Sequence, residues 1–288
     1  LLYGPPAAKA LETPVYENRR RSDCDLGSMV WNLNWYRNGA APNLLENFCH
    51  TYYTWVPPKD FFQQHPEYYG HDRNNPPKEP PKEVGGMDFA ANPLGGKLCL
   101  THPDVRRVIA ENIRRKILQD RARARSFGMD APHHYDVSMM DSERVTDTIE
   151  CPCAACRQFV KEHGAESDLL IDFVNTVAAA VGAEFPDITI RTAAYYYNLA
   201  PPRKVKPRGN VLVVWCNWYG APDGGPYLDE PLDSVNNAWR LQAIRGWRDM
   251  GARLGFWDYS PWVTYESANA SVPFALAPSF VSRINLYN

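Results

Sequence analysis

The sequence contains no apolar run long enough to cross a membrane. Its longest apolar stretches, such as Val211-Leu-Val-Val-Trp-Cys216, fall far short of the ~20 residues a spanning helix needs. It also has almost no net charge, formally -2 over 288 residues, so nothing biases it toward nucleic acid and no basic partner-binding face is indicated. No G-x-G-x-x-G and no phosphate loop follows any predicted strand, which removes the usual nucleotide-binding signature of an open doubly wound sheet. Cysteine is too sparse for a disulfide-dependent miniprotein: there are seven, in a chain that is 44% hydrophobic and long enough to bury a substantial core. A charged-then-apolar leader is missing as well. Leu1 replaces an initiator Met, and Arg283-Ile-Asn-Leu-Tyr-Asn288 stops without a helix cap or polar tail. We therefore expect a piece of a longer chain, with room for a signal peptide ahead of Leu1.

What is abundant is proline and aromatic rings: 25 Pro, 9 Trp, 16 Tyr and 11 Phe. Aromatic rings fill cores and also stack on sugar faces. Strand and helix signals alternate along the chain, the pattern of βα units around a parallel sheet. Short strands are expected at Val15 to Arg19, within Leu44 to Trp55 (ending near His50), at Lys97 to Thr101, Tyr135 to Met140, Ile188 to Tyr195, Asn210 to Trp218 and Arg253 to Asp258. Between them, Pro103-Asp104 suits a first helical turn, and Val105, Val108, Ile109, Ile113 and Ile117 form one apolar stripe. Ser167 can cap a later helix whose Leu170, Phe173, Val174, Val177 and Val181 recur at helical spacing, and another helix is expected from about Leu232 to Met250. The Pro-, Gly- and Asn-rich stretch from Gly70 to Gly96 reads as a long surface loop. The fold expected is α/β, a TIM-type (β/α) barrel truncated before its eighth strand: residues 1–14 a linker from a missing N-terminal region, residues 15–288 the barrel, and the eighth strand beyond Asn288.

Chemistry concentrates where these strands end. Asp141 and Glu143 follow the Tyr135 to Met140 run, at the rim where barrel enzymes keep their catalytic groups. Residues i and i+2 of a strand point the same way about 6–7 Å apart, within the range over which two carboxyls flank one glycosidic bond. The alternative is an ordinary solvated strand end. Tyr195, Trp215, Trp218, Trp257, Asp258 and Tyr259 end the later strands, each either a core side chain or part of a sugar-binding mouth. Cys151-Pro-Cys153-Ala-Ala-Cys156 can supply three thiolates to a structural zinc or an iron-sulfur site, form a disulfide within its loop, or remain free thiols. Such metal sites usually take a fourth ligand, and Cys99 is one candidate.

Several segments together resemble a known family: His65-Pro-Glu-Tyr-Tyr69, Leu98-Cys-Leu-Thr-His-Pro103, Val137-Ser-Met-Met-Asp141 with its C-x-C-x-x-C, Ser167-Asp168 before Phe173-Val174-Asn175, and Phe256-Trp-Asp-Tyr259. In order and spacing they resemble domain of unknown function 4838, part of which is classed as glycoside hydrolase family 163. The resemblance implies a barrel related to those of hexosaminidases and α-glucuronidases, a glycan substrate carrying a β-N-acetylglucosaminide linkage, an extracytoplasmic or secreted location, and no cofactor for catalysis. It further implies that Asp141 polarises the substrate's acetamido group and Glu143 serves as acid/base, although Ser142 separates a pair that is adjacent in hexosaminidases. Asp258 and Glu266 are rival acids. Arg19 matches a position where related barrels hold a sugar hydroxyl, and His50 is a second hydroxyl ligand. Beside a hydrolase, the sequence leaves open an α-glucuronidase-like enzyme, a carbohydrate-binding barrel without turnover, and a metal or redox protein built on the cysteines.

Overall fold

The computed structural model describes residues 50–70, 80, 97–128, 130–140, 151–217 and 230–258. Two single-turn helices, α1 (Tyr52–Trp55) and α2 (Pro58–Phe61), lead to a 3-10 turn at Pro66–Tyr68. The long helix α3 (Pro103–Phe127) follows, then β1 (His134–Asp136), α4 (Ala154–His163), α5 (Glu166–Glu184), β2 (Thr189–Ala194), β3 (Val211–Asn217), α6 (Ala238–Asp249) and β4 (Arg253–Asp258).

The strands form one parallel sheet in chain order, β1-β2-β3-β4. Asp136 is in register with Arg191, Arg191 with Leu212, and Leu212 with Arg253. The fold class is α/β. This sheet has two ends and does not close on itself among the described residues. The first expected strand, Val15 to Arg19, and most of the second lie outside those residues. Four of the other five are present.

Lys97 to Thr101 is the exception. It makes one isolated antiparallel bridge, Leu98 with Tyr69, supported by Cys99 N–H to Tyr68 O (2.8 Å) and Gly70 N–H to Lys97 O (2.8 Å). Leu98, Cys99 and Leu100 are fully buried, which explains the apolar signal. The chain then turns at once into α3, where His102 Nδ1 caps Asp104 N–H at 3.2 Å and Pro103 takes the first helical position. A strand has no room to extend.

Helix α3 buries Val105, Val108, Ile109, Ile113 and Ile117, the stripe read from the sequence, and ends at Gly128 with φ 62°, a left-handed cap that glycine adopts without Cβ strain. Helix α5 buries Leu170, Phe173, Val174, Val177 and Val181. Its cap is Ala165, which makes no side-chain bond; Ser167 lies inside the first turn instead of capping it. The expected cysteine loop contains helix α4, whose cap is Cys153 itself, with Sγ accepting from Cys156 N–H. None of the helices among the described residues is long and apolar enough to cross a membrane.

The crossover from β2 to β3 contains only the 3-10 turn Tyr196–Asn198. Its backbone is held on α5 by side chains. Asp168, fully buried, accepts from Arg203 N–H (3.0 Å), Lys204 N–H (2.8 Å) and Val205 N–H (2.7 Å). Asn175 accepts from Arg208 N–H (2.9 Å) and donates to Lys206 O (2.9 Å). Asn210 donates to Ala178 O at 2.8 Å. Converging amides around a carboxylate form an anion nest, and hydrogen bonds to a charged acceptor are each worth about 1.5–3 kcal/mol net. Replacing Asp168 by Asn should cost about 1.5–3 kcal/mol, because the new amide nitrogen would face an N–H donor; Asp168→Ala should cost more. Urea midpoints at constant m-value measure both, and a neutral Asp168→Asn would mean that the carboxylate does not hold the crossover.

Candidate functional site

Because the strands are parallel, their carboxyl ends lie along one edge of the sheet. Val137 prolongs the ladder past β1, its N–H donating to Arg191 O at 2.7 Å. Ser138 O then accepts from both Thr51 N–H and Tyr52 N–H, each at 3.1 Å, while Thr51 Oγ1 accepts from Ser138 N–H at 3.0 Å. His50 stands next to this clasp, with Nδ1 2.9 Å from Met139 O. A carbonyl can only accept, so Nδ1 carries the hydrogen and Nε2 is the acceptor nitrogen of the neutral ring.

Under the clasp lies Asp136, whose side chain is 0% exposed. Thr51 Oγ1 donates to its Oδ1 at 3.1 Å, Ser138 Oγ donates to the same oxygen, and Arg191 Nε sits 4.0 Å from Oδ2. Its backbone carbonyl accepts from Trp55 Nε1 (2.7 Å) and lies 2.9 Å from Thr51 Oγ1, whose one hydrogen is shared between this oxygen and Oδ1. Burial pushes the Asp136 carboxyl above its ordinary value, against the pull of Arg191, Ser138, Thr51 and His50.

Backbone strain gathers at the same edge. His50 (φ 56°) and Tyr196 (φ 50°) are the non-glycine residues with left-handed backbone among those described, a conformation that persists only where its surroundings enforce it and that clusters at functional sites. Tyr195, the residue after β2, is a buried ring packed edge-on against Tyr196, with centroids 4.2 Å apart. Asn198 Nδ2 reaches Met139 Sδ at 4.0 Å, which joins the exits of β1 and β2.

The residues expected from the sequence fall into different places. His50 and Tyr195 are at this edge. Trp257 is on β4, half-buried against the core and in register with Cys216. Asp258 closes β4 opposite Asn217. Trp215 belongs to the core: it is fully buried and its Nε1–H donates to Leu199 O at 3.2 Å, a carbonyl shared with Trp247 Nε1–H at 3.0 Å. That ring has no open face for a sugar. Asp141, Glu143, Arg19, Trp218, Tyr259 and Glu266 lie outside the described residues. Asp136 and Arg191 were not singled out from the sequence, yet a charged residue inside each of two apolar strands was the available signal.

The cysteines make a second cluster. Cys99, Cys151, Cys153 and Cys156 are all fully buried, and their sulfurs all lie within 4.8 Å of one another. Cys99 Sγ is 3.6 Å from Cys153 Sγ, and Thr101 Oγ1 is 3.2 Å from Cys156 Sγ. Cys153 also accepts from Cys156 N–H at 3.4 Å. Hydrogen bonds from the Cys151, Cys156 and Cys99 thiols pull Cys153 well below its ordinary value, and the bond with Cys151 lowers Cys99 to about 6. Cys151 is pushed up, chiefly by its bond to Cys153.

A groove of about 420 Å³ between α3 and α5 lies apart from both clusters. Its arginines are already paired, Arg106 with Asp172, Arg107 with Asp104 and Glu111, and Arg114 with Glu184.

A family model described as a domain of unknown function, DUF4838, matches residues 8–273. The chain belongs to the DUF4838 family. No curated protein and no solved structure matches it. The DUF4838 match takes in both clusters, from His50 through Asp136 and the four cysteines to Trp257.

If Asp136 and Arg191 act as a pair in this DUF4838 chain, Asp136→Ala should destabilise by about 3–5 kcal/mol, the cost of breaking a buried ion pair. The double variant Asp136→Ala/Arg191→Met should then fall short of additivity by at least ~0.5 kcal/mol. Strict additivity in chemical denaturation would separate the two residues energetically.

Proposed function

We propose that this protein is a glycoside hydrolase that cleaves a β-N-acetylglucosaminide linkage with retention, on a TIM-type barrel of which β1 to β4 are consecutive strands. The observation that carries the reading is the strand order. Four parallel strands in chain order send the segments that leave them, including Val137 to Met140 after β1, from a single edge of one sheet, and barrel enzymes build their active sites from such segments. The left-handed backbone at His50 and Tyr196 on that edge supports it, as does the resemblance of part of the family to glycoside hydrolase family 163.

In this mechanism the acetamido oxygen of the substrate attacks the anomeric carbon while the bond to the leaving oxygen breaks. Asp141 orients and stabilises the acetamido group, and Glu143 gives its proton to the leaving oxygen. Glu143 then takes a proton from the water that reopens the cyclic intermediate, restoring the acid and giving the retained sugar. Substrate assistance of this kind is a recognised departure from schemes with an enzyme nucleophile. Arg19 and His50 hold sugar hydroxyls, and Trp257, Trp218 and Tyr259 line the mouth. Catalysis needs no cofactor, because the nucleophile comes from the substrate and the proton from a carboxyl group.

Asp141→Asn and Glu143→Gln should each lower turnover of a chitobiose-containing glycan, general acid catalysis alone being worth about 10²–10⁴-fold, with folding nearly intact. A substrate with an activated leaving group needs little protonation, so it should rescue Glu143→Gln and leave Asp141→Asn inactive. Efficient cleavage of an analogue carrying hydroxyl in place of the acetamido group would refute substrate assistance and turn attention to Asp258 as nucleophile. Glycan binding without product release would instead identify a binding barrel.

A further inference from the structure

The four buried cysteines are not used by the proposed hydrolysis, and they come from two separate parts of the chain. We propose that Cys99, Cys151, Cys153 and Cys156 bind one structural zinc ion as a tetrathiolate, with Cys99 as the fourth ligand that closes the site.

The geometry carries the assignment. A tetrahedral zinc with Zn–S near 2.3 Å places its sulfurs roughly 3.8 Å apart; the Cys99 and Cys153 sulfurs are 3.6 Å apart and all four fall within 4.8 Å. Ligands to an iron-sulfur cluster are divided among two or more irons and need a wider spread. Conversely, 3.6 Å is far beyond a disulfide bond of about 2.05 Å. All four side chains are fully buried, which suits a closed structural site and excludes the open access that a catalytic thiol pair needs.

The surroundings fit thiolates. Cys153-Ala-Ala-Cys156 opens α4, so the Cys153 sulfur lies at the positive end of a helix of ten residues and accepts the Cys156 N–H. The Thr101 hydroxyl is 3.2 Å from Cys156 Sγ and can donate to it, an outer-shell bond of the kind that orients metal ligands. The consequence is mechanical. Zinc ties the stretch between the Tyr69 bridge and α3 to the start of α4, and Cys151 thereby fixes the far end of the segment that leaves β1 after Met140. This inference does not depend on the carbohydrate reading.

The test uses the full chain, purified with reductant and without chelator. Elemental analysis should find about one zinc per chain, and X-ray absorption should fit four sulfurs at about 2.3 Å. Cys99→Ser should weaken zinc binding by more than the roughly 10–100-fold that losing an outer-shell partner costs, and Thr101→Val by about that range. If Cys99→Ser does not fold, the absorption spectrum of the unmutated protein still decides the ligand set. A nitrogen or oxygen ligand in the first shell, iron in place of zinc, a disulfide among the four, or a protein that takes up no added zinc would each overturn the proposal. Loss of glycosidase activity with zinc and its four sulfurs intact would refute the hydrolase reading alone.

Discussion

A carboxyl group with no exposed surface joins three stretches of chain at the exit of β1. Asp136 sits in a parallel strand where an apolar side chain would cost nothing to bury, and its desolvation must be offset by Thr51, Ser138 and Arg191. Those partners come from three stretches of chain: the turn before α1, the continuation of β1, and β2. The same carboxylate therefore sets where the His50 turn docks and how β1 lies against β2. His50 and Trp55 take their places as consequences, each bonded to a backbone carbonyl within three residues of Asp136, and Ser138 donates to the carboxyl itself.

Periodicity made the sheet and the two long helices legible. The stripes on α3 and α5 repeat at helical spacing over several turns, and the β2 and β3 runs are short, apolar and bounded by turn residues. Lys97 to Thr101 misled because burial alone mimics a strand; Leu98 to Leu100 are fully buried, yet the segment makes a single isolated bridge. Helix α4 was hidden for the opposite reason, its face being mostly polar and its cap a cysteine, which is not among the side chains that ordinarily signal a helix start. The Asp136–Arg191 pairing needs the register of two strands distant in sequence, and a local pattern does not contain it.

Several of the segments that carry the family resemblance act as braces. His65 to Tyr69 pairs with Leu98 and stacks against His102, with the Tyr68 and His102 rings 5.0 Å apart. Asp168 and Asn175 hold the β2–β3 crossover, and Cys99 meets the C-x-C-x-x-C. Each joins pieces of chain that are distant in sequence. A family signature built of such residues identifies the frame on which a site is mounted more directly than the chemistry performed there. In an oxidising compartment four adjacent thiols would be open to cross-linking, and a bound metal would keep them as thiolates.

The crossover from β2 to β3 has one more implication. Asp168 grips it through the amides of Arg203, Lys204 and Val205, groups that every residue but proline possesses. The path from Arg203 to Val205 is thus encoded elsewhere, in the first turn of α5. Its own letters are released from specifying shape, so the surface they form can drift in composition, or be rewritten by an engineer, while the route of the backbone stays the same.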